Sequence, residues 1–188
     1  MVKPSSLPDL PAPEDDGAAD DLPGRRLPPT EFPASDGGVV QVDRLPDRSV
    51  VFVYPGIGGH LGRDERLEEW TAFPGARGCT AEACGFRDEI AEFRAQDVEV
   101  LGLSGEESAQ QRRHAAQLGL RYRLLSDEGF ELASSLGLPT FEFHGHRYYK
   151  RLTLIVTSGR IEAAFYPVFP PEGGAAQALE WLAEHPRS

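Results

Sequence analysis

The side chains with the clearest chemical potential lie in one short stretch, PGARGCTAEACGFRDEI, residues 74 to 90, which contains both cysteines of the chain. Cys79 and Cys84 are five residues apart. They could be small buried hydrophobic residues, ligands of a metal ion, or reactive thiols. The flanking Gly78 and Thr80 make the surroundings of Cys79 too polar and glycine-rich for a typical core site. The spacing is not the C-x-x-C of a metal site and the sequence has no second pair, so the pattern favours reactive thiols.

The two thiols are expected to be chemically unequal. An apolar strand ends near Pro55 and a loop follows, so the pattern predicts that a helix begins at this cysteine, with Thr80 as its N-cap. A helix N-terminus and a basic neighbour such as Arg77 stabilise a thiolate, which lowers the pKa of a cysteine. Cys84 lies one and a half turns further along and lacks this help. We therefore expect Cys79 to be the nucleophile.

The elements that must position these thiols alternate between strands and helices. Continuous apolar runs such as SVVFVYP are typical of strands buried on both faces of a parallel sheet, whereas Phe86, Ile90 and Phe93 follow helical spacing. The order predicts an α/β, thioredoxin-like fold with a central mixed sheet, helices on both faces and an N-terminal β-hairpin. The predicted elements are a hairpin within 27–43, strands over 49–55 and 98–104, helices over 80–96, 107–118 and 129–136, a strand hairpin beginning at 151–156, and a helix over 172–184.

Composition and charge narrow the function classes. The net charge of −11 argues against nucleic acid or an anionic membrane surface as the main partner. The chain shows no apolar signal region at its start and no run of about 20 apolar residues, so we expect a cytoplasmic protein. Residues 1–22 are rich in Pro, Asp and Ala and are predicted to form a disordered or loosely packed tail, followed by one domain over 23–188. Two cysteines in a reducing compartment are more often catalytic or redox-sensing than structural.

The segments GCTAEACGFRDEIAEFRAQDVEVLGLSGEE and LGLRYRLLSDEGFELASSLGLP resemble the peroxiredoxins, specifically the bacterioferritin-comigratory-protein-like (Q-type) branch of the alkyl hydroperoxide reductase and thiol-specific antioxidant family. The shared pattern is Gly-Cys-Thr, a second cysteine five residues later, Phe-Arg-Asp, Leu-Ser at a strand end, and a segment like LLSDEG. A late Arg-Leu-Thr that opens a strand, residues 151–153, also matches. The resemblance covers about residues 24–184.

This resemblance implies a thiol-dependent peroxidase that reduces hydrogen peroxide or organic hydroperoxides. Cys79 would be the peroxidatic cysteine and form a sulfenic acid, and Cys84 would be the resolving cysteine that forms a disulfide with it. A thioredoxin- or glutaredoxin-type protein would reduce that disulfide, and no metal, flavin or haem is implied. The protein would act as a monomer or homodimer. The resemblance also implies Arg151 for thiolate and peroxide stabilisation, and we expect Gly78, Thr80, Tyr54 and Pro55 around the substrate. Arg87 lies eight residues along the helix from Cys79, about 12 Å of rise, so we expect Arg87 and Asp88 to lie nearby without touching the thiol.

Two departures from the family pattern leave alternatives open. Ala76 stands where the family has Thr or Ser, and Ala72 stands where it has Pro. Tyr54-Pro55 is followed by an insertion, residues 56–73, that is either a lid or partner surface or a tolerated loop. Thr71, Thr80 or a backbone N–H could replace the missing hydroxyl. The chain could therefore be a thiol-disulfide oxidoreductase or a redox-sensing module without efficient peroxidase turnover.

Overall fold

A five-stranded sheet forms the centre of the fold. The structure is a computed structural model and describes residues 10–57 and 64–186. The sheet strands are β3 (Arg48–Val53), β4 (Glu99–Ser104), β5 (Arg123–Ser126), β8 (Leu152–Thr157) and β9 (Arg160–Phe165). Their spatial order is β5-β4-β3-β8-β9, in which β3, β4 and β5 are parallel while β8 is antiparallel to both β3 and β9. The mixed sheet and the thioredoxin-like fold are confirmed.

Side chains that alternate along β3 build two hydrophobic layers. Val50 and Phe52 face a core formed with α2 (Cys79–Asp88), α3 (Ile90–Ala95) and α6 (Gly174–Glu184). Val51 and Val53 face the opposite core, which includes α5 (Glu131–Leu136) and the hairpin of β1 (Glu31–Pro33) and β2 (Val39–Gln41). The predicted helices on both faces and the N-terminal hairpin are therefore confirmed, and α4 (Ser108–Leu118) ends at Gly119 as predicted.

The helix predicted over 80–96 is two helices. It divides at Glu89, whose φ of −94° and ψ of 7° leave the helical region, and the Glu89 N–H bonds back to Gly85 and Arg87 carbonyls. The apolar spacing of Phe86, Ile90 and Phe93 continues across this break, which is why the pattern alone does not reveal it. The last helix begins two residues later than predicted, after a 3₁₀ turn over Pro171–Gly173.

The sequence pattern missed two strand pairings. The edge strand β5 has only four residues, and a second hairpin joins β6 (Thr140–Phe143) to β7 (His146–Tyr149) through a turn at His144 and Gly145. Both turn residues have positive φ, 48° and 76°, as a tight connection requires. The aromatic residues of this hairpin find their partners in an element that is distant along the chain.

That element is α1 (Asp64–Ala72), within the segment interpreted as an insertion in a loop. Its Trp70 is 3% exposed and packs against Phe141, Phe143 and Tyr148 of the β6–β7 hairpin. Phe73, just after the helix, stacks on Phe141 with ring centroids 4.5 Å apart. The insertion thus includes a helix that is attached to the domain by an aromatic cluster. Residues 58–63 of the insertion lie outside the described residues.

The predicted loose tail differs from the structure over the part that is described. Ala19 and Leu22 belong to the larger core cluster and are 6% and 1% exposed. Asp16 pairs with Lys150 at 2.6 Å, and Pro13 and Gly75 line the same surface pocket. The composition of the segment predicted little apolar burial, whereas the structure buries two of its apolar side chains in the core. Residues 1–9 lie outside the described residues.

Candidate active site

Cys79 is the first residue of α2, as the sequence predicted, but the cap differs. The N-cap is Gly78, with φ of +108°, and Thr80 is an exposed residue of the first turn rather than the cap. A Cβ atom at Gly78 would lie 2.4 Å from Cγ of Pro171, so both the backbone conformation and the close contact require glycine. The side chain of Cys79 faces inward and is 4% exposed.

A buried cation and a buried carboxylate accompany this thiol. Nη2 of Arg151 lies 3.2 Å from Sγ of Cys79 and also donates to the carbonyl oxygens of Gly75 and Arg77. Nη1 of Arg151 donates to Glu82, three residues after the cysteine on the same helical face. Arg151 is 2% exposed and Glu82 is 1% exposed. One guanidinium is therefore shared between a thiol and a carboxylate.

The burial and charges of Cys79, Glu82 and Arg151 together disfavour the thiolate that the sequence predicts. Burial raises the pKa of the Cys79 thiol, Arg151 lowers it, and the carboxylate of Glu82 raises it further, so that the net direction is upward. Burial also raises the pKa of Glu82 to about 7, against the stabilising charge of Arg151. The lowered pKa predicted for Cys79 from its helix position is therefore wrong in direction, because burial and the Glu82 carboxylate outweigh the cation and the helix N-terminus.

The thiol borders a cavity of about 320 Å³. Part of its wall is apolar and comes from Ile57, Leu67 and Trp70, the last two of which belong to α1. Thr80 also lines the cavity. The insertion therefore forms one wall of the pocket that the cysteine faces.

The hydroxyl missing at Ala76 has no side-chain substitute in contact with the thiol among the described residues. Ala76 is fully buried, and its carbonyl oxygen accepts a 3.6 Å hydrogen bond from the Cys79 thiol. Thr71 is occupied elsewhere, since its Oγ1 donates to the Leu67 carbonyl and accepts from Arg77. The backbone N–H of Gly56 lowers the pKa of the thiol. Of the substitutes considered from sequence, a backbone N–H is the group that acts on the cysteine in this way.

The other predicted site residues are divided between the site and its surroundings. Cys84 is a free thiol within α2 and half-buried, and Gly78 lines the cavity. Tyr54 and Pro55 are buried at the end of β3, and a charge on Cys79 adds to the burial that raises the pKa of the Tyr54 hydroxyl. Arg87 instead bonds to the Leu118 carbonyl and pairs with Asp88, as expected for residues that do not touch the thiol.

Sequence reasoning missed Glu82 and the contribution of α1. The signal for Glu82 was present, because a residue three positions after Cys79 lies on the same face of a helix. The signal for α1 was weak, because Leu67 and Trp70 stand among charged residues. No cluster of three or more metal-binding side chains occurs in the described residues, and no helix among them is long and apolar enough to cross a membrane.

Comparisons with known proteins agree with this arrangement. The chloroplastic peroxiredoxin Q of Arabidopsis thaliana is 32% identical over 56% of this chain and 48% of its own length, and that of Gentiana triflora is 30% identical over the same shares. The chain thus aligns with about half the length of these curated relatives. The resemblance to Q-type peroxiredoxins is confirmed.

Solved structures support the fold. The crystal structure of peroxidoxin BcpB from Mycobacterium tuberculosis superposes with a TM-score of 0.70 and 24% identity, covering 89% of this chain and 99% of that one. A structure of peroxiredoxin Q from Xanthomonas campestris has a TM-score of 0.66 and 18% identity, covering 95% and 100%. The AhpC/TSA family itself matches residues 71–164, half of the chain, which include Cys79, Glu82, Cys84 and Arg151. The chain belongs to the AhpC/TSA family.

Proposed function

We propose that the protein is a thiol peroxidase that uses Cys79 as its nucleophile. The Cys79 thiolate attacks one oxygen of a hydroperoxide, an S–O bond forms, the O–O bond breaks, and water or an alcohol leaves after protonation. The Cys84 thiol then attacks the sulfenic sulfur, forming the Cys79–Cys84 disulfide and releasing water. A dithiol reductant of the thioredoxin or glutaredoxin type reduces that disulfide and returns both thiols.

The observation that carries this proposal is the contact between Arg151 and the buried thiol, 3.2 Å from Nη2 to Sγ. A guanidinium keeps its charge and offers several N–H donors in a fixed plane. One donor binds the thiolate, and the same group stabilises the negative charge that develops on the peroxide oxygens as the O–O bond breaks. Glu82 fixes the opposite side of the guanidinium, which holds it in the orientation that the reaction needs.

The cavity supports organic hydroperoxides as substrates in addition to hydrogen peroxide. Its volume of about 320 Å³ exceeds what hydrogen peroxide needs, and its wall includes the apolar Leu67 and Trp70. An alkyl group bound there removes apolar surface from water, at about 25 cal/mol per Å². The partners we propose are the peroxide and a thioredoxin- or glutaredoxin-type protein, acting on a monomer or homodimer in the cytoplasm.

Peroxide consumption with dithiothreitol or thioredoxin as the reductant tests the function. Cys79→Ser should abolish turnover. Cys84→Ser should react once with peroxide, form a sulfenate detectable by dimedone labelling, and turn over only with a small thiol. Retention of the first reaction in Cys79→Ser, with its loss in Cys84→Ser, would reverse the two roles.

The substrate class has its own test on α1. Leu67→Ala should lower kcat/KM for cumene hydroperoxide by about three- to tenfold, through lost apolar contact, and leave kcat/KM for hydrogen peroxide unchanged. Glu68→Ala, on the exposed face of the same helix, is the matched control and should change neither value. Equal losses for both peroxides in Leu67→Ala would show that the residue supports the site without selecting the substrate.

A second candidate function follows from Ala76, because the hydroxyl that would orient a peroxide is missing from its usual place. Without that hydroxyl, the protein would be a thiol-disulfide oxidoreductase or a redox sensor. An oxidoreductase would reduce insulin disulfides but not peroxide. A sensor would oxidise once, stoichiometrically, without fast turnover. The same peroxide assay, run beside insulin reduction, separates the three possibilities.

A further inference from the structure

Behind the Cys79 cavity lies a second buried carboxyl group, which the chemistry proposed above does not use. Glu106 follows β4 and is 4% exposed. Its Oε1 accepts a 2.9 Å hydrogen bond from the backbone N–H of Ile57 and a 3.4 Å bond from Nε2 of Gln110. Its Oε2 accepts a 3.2 Å bond from the Ser104 hydroxyl. Because Ile57 lines the Cys79 cavity, this carboxyl group holds one wall of the cavity from behind.

Gly56 connects the carboxyl group to the thiol. It lines the same cavity as Cys79, its N–H lowers the pKa of the Cys79 thiol, and a Cβ added to it would lie 3.2 Å from Cδ and Oε1 of Glu106. Its φ of +153° is a conformation that other residues rarely adopt. The N–H that acts on the thiol therefore belongs to Gly56, and the next residue, Ile57, donates its own N–H to Glu106.

The surroundings of Glu106 allow its charge to change near neutral pH. Burial raises the pKa of Glu106 to about 7, although the N–H of Ile57 and the hydroxyls of Ser104 and Tyr54 lower it. The titratable groups that face it are Tyr54 from the end of β3, His114 from α4, with Nδ1 3.8 Å from Oε1, and Tyr148 from β7. None of these three carries a fixed positive charge comparable to that of Arg151 beside Glu82.

We propose that Glu106 is a positioning residue for Cys79: its carboxylate fixes the Gly56–Ile57 backbone so that the Gly56 N–H faces the thiol, and protonation of the carboxylate releases that backbone. Hydrogen bonds to an ionised acceptor are roughly twice as strong as those to a neutral one. The reactivity of Cys79 therefore rises as Glu106 loses its proton. This inference rests on the peroxidase function proposed above only for its biological meaning, since thiol reactivity is measurable without peroxide.

The direction in which Cys79 reactivity changes when the Glu106 carboxylate is removed distinguishes positioning from simple charge repulsion. A carboxylate that acted only through its negative charge would raise the pKa of the nearby thiol, so that its removal would make Cys79 more reactive. A carboxylate that positions the Gly56 donor has the opposite effect, because its removal makes Cys79 less reactive. Glu106→Gln tests this directly, since glutamine has nearly the same shape and no charge.

The experiment measures the rate at which iodoacetamide alkylates Cys79 in the full-length chain from about pH 5.5 to about pH 8.5, with Cys84→Ser in every variant. The ratio of the parent rate to the Glu106→Gln rate cancels the titrations of Cys79 and Glu82 that both proteins share. We expect a ratio near one at the acidic end that rises to about three- to tenfold at the alkaline end, with an inflection near pH 7. Glu107→Gln, its exposed neighbour, should keep the ratio at one throughout.

Two outcomes would overturn the inference: a ratio that does not depend on pH, or a Glu106→Gln protein that alkylates faster. A measurement on the parent protein keeps the test decisive if the variant does not fold. Hydrogen exchange of the Ile57 amide, corrected for its intrinsic pH dependence, should show protection that falls as the pH drops through about 7. Constant protection would also overturn the inference. A parent protein that shows the ratio but consumes no peroxide would refute the proposed function and leave the role of Glu106 standing.

Discussion

Oxidation of the two cysteines should unwind the start of α2. The helix is continuous from Cys79 to Asp88, so both thiols lie on one intact helix in the reduced protein. Residues five apart on an α-helix are separated by about 7.5 Å of rise and about 140° of rotation, which places their Cα atoms roughly 8.7 Å apart. A disulfide accepts a Cα separation of about 4.4–6.8 Å. The Cys79–Cys84 disulfide cannot form on this helix.

The structure also indicates what resists the unwinding. Glu82 lies between the two cysteines, so melting the helix through Cys84 removes its carboxylate from Arg151. Removing one partner from a buried ion pair costs about 3–5 kcal/mol, a factor of roughly 10² to 10³ or more in population. The 3₁₀ turn over Pro171–Gly173 adds packing at Gly78 and Gly85. The reduced helix should therefore be open for less than about 1% of the time.

Hydrogen exchange over residues 79–86 measures this directly. We expect strong amide protection in the reduced protein and loss of that protection once mass spectrometry confirms the disulfide. Cys84→Ser is the control, because it forms the sulfenate but no disulfide and should keep its protection after one equivalent of peroxide. While the helix remains folded, the sulfenate is exposed to a second peroxide and to over-oxidation.

Equal protection in the reduced and disulfide forms would refute the geometric reasoning. Loss of protection in oxidised Cys84→Ser would show instead that the sulfenate itself melts the helix. Glu82→Gln provides a graded test of the energetic argument. It should increase exchange over residues 79–84 in the reduced state and should reduce the fraction of sulfinate formed at high peroxide, because the disulfide forms sooner.

Three further predictions concern the cation, the N-terminal segment and pH. Arg151→Met should raise the pKa of Cys79, measured by iodoacetamide alkylation against pH, and slow the reaction with peroxide; an unchanged titration would exclude Arg151 from the site. Leu22→Ala should cost about 2–5 kcal/mol of unfolding free energy in a denaturant titration, whereas the exposed Asp21→Ala should cost little; equal effects would contradict the packing of this segment. Burial raises the pKa of Glu106 from 4.5 to about 7 in the folded state. The protonated carboxyl group therefore stabilises the fold below the unfolded-state pKa, and this stabilisation, about 3 kcal/mol, is lost as the pH rises from 4.5 through 7. Thermal unfolding of Glu106→Gln should show a smaller loss of stability over that pH range, and the same pH dependence in both proteins would contradict the raised pKa.

Local pattern was sufficient to predict the centre of the fold. β3 and β4 are continuous apolar runs buried on both faces, a signal that needs no knowledge of the partner strands. β5 has four residues and is held in the sheet by its pairing with β4, so its own sequence carries little information about its strand structure. The helix α1 was missed for a related reason. Its burial depends on hairpin side chains about seventy residues away, which no short window of sequence contains.

Some features of the candidate site could be predicted from nearby sequence, whereas others depend on contacts between distant parts of the chain. The resemblance identified Cys79 and Arg151, which the structure brings to 3.2 Å of each other across 72 positions of sequence. The direction of the Cys79 pKa was wrong because a helix N-terminus is a local feature, whereas burial depends on the whole fold. Residue 82 shows that some of the missing information was local, because helical spacing alone places it beside the cysteine.

The absence of a hydroxyl at residue 76 and the presence of α1 are best understood as one structural change. Ala76 is fully buried in the aromatic cluster that includes Trp70 of α1 and Tyr148 of β7. A threonine or serine hydroxyl placed among these rings would lose its hydration and would cost about 1–3 kcal/mol without a partner. A domain that attaches a helix beside the active-site loop through this cluster therefore favours alanine at residue 76. In the peroxidase that we propose, the peroxide would be oriented by the donors that remain, the Gly56 N–H and Arg151. Glu106 binds the amide next to the first donor and Glu82 binds the second, so two buried carboxyl groups would hold these donors in place of the missing hydroxyl.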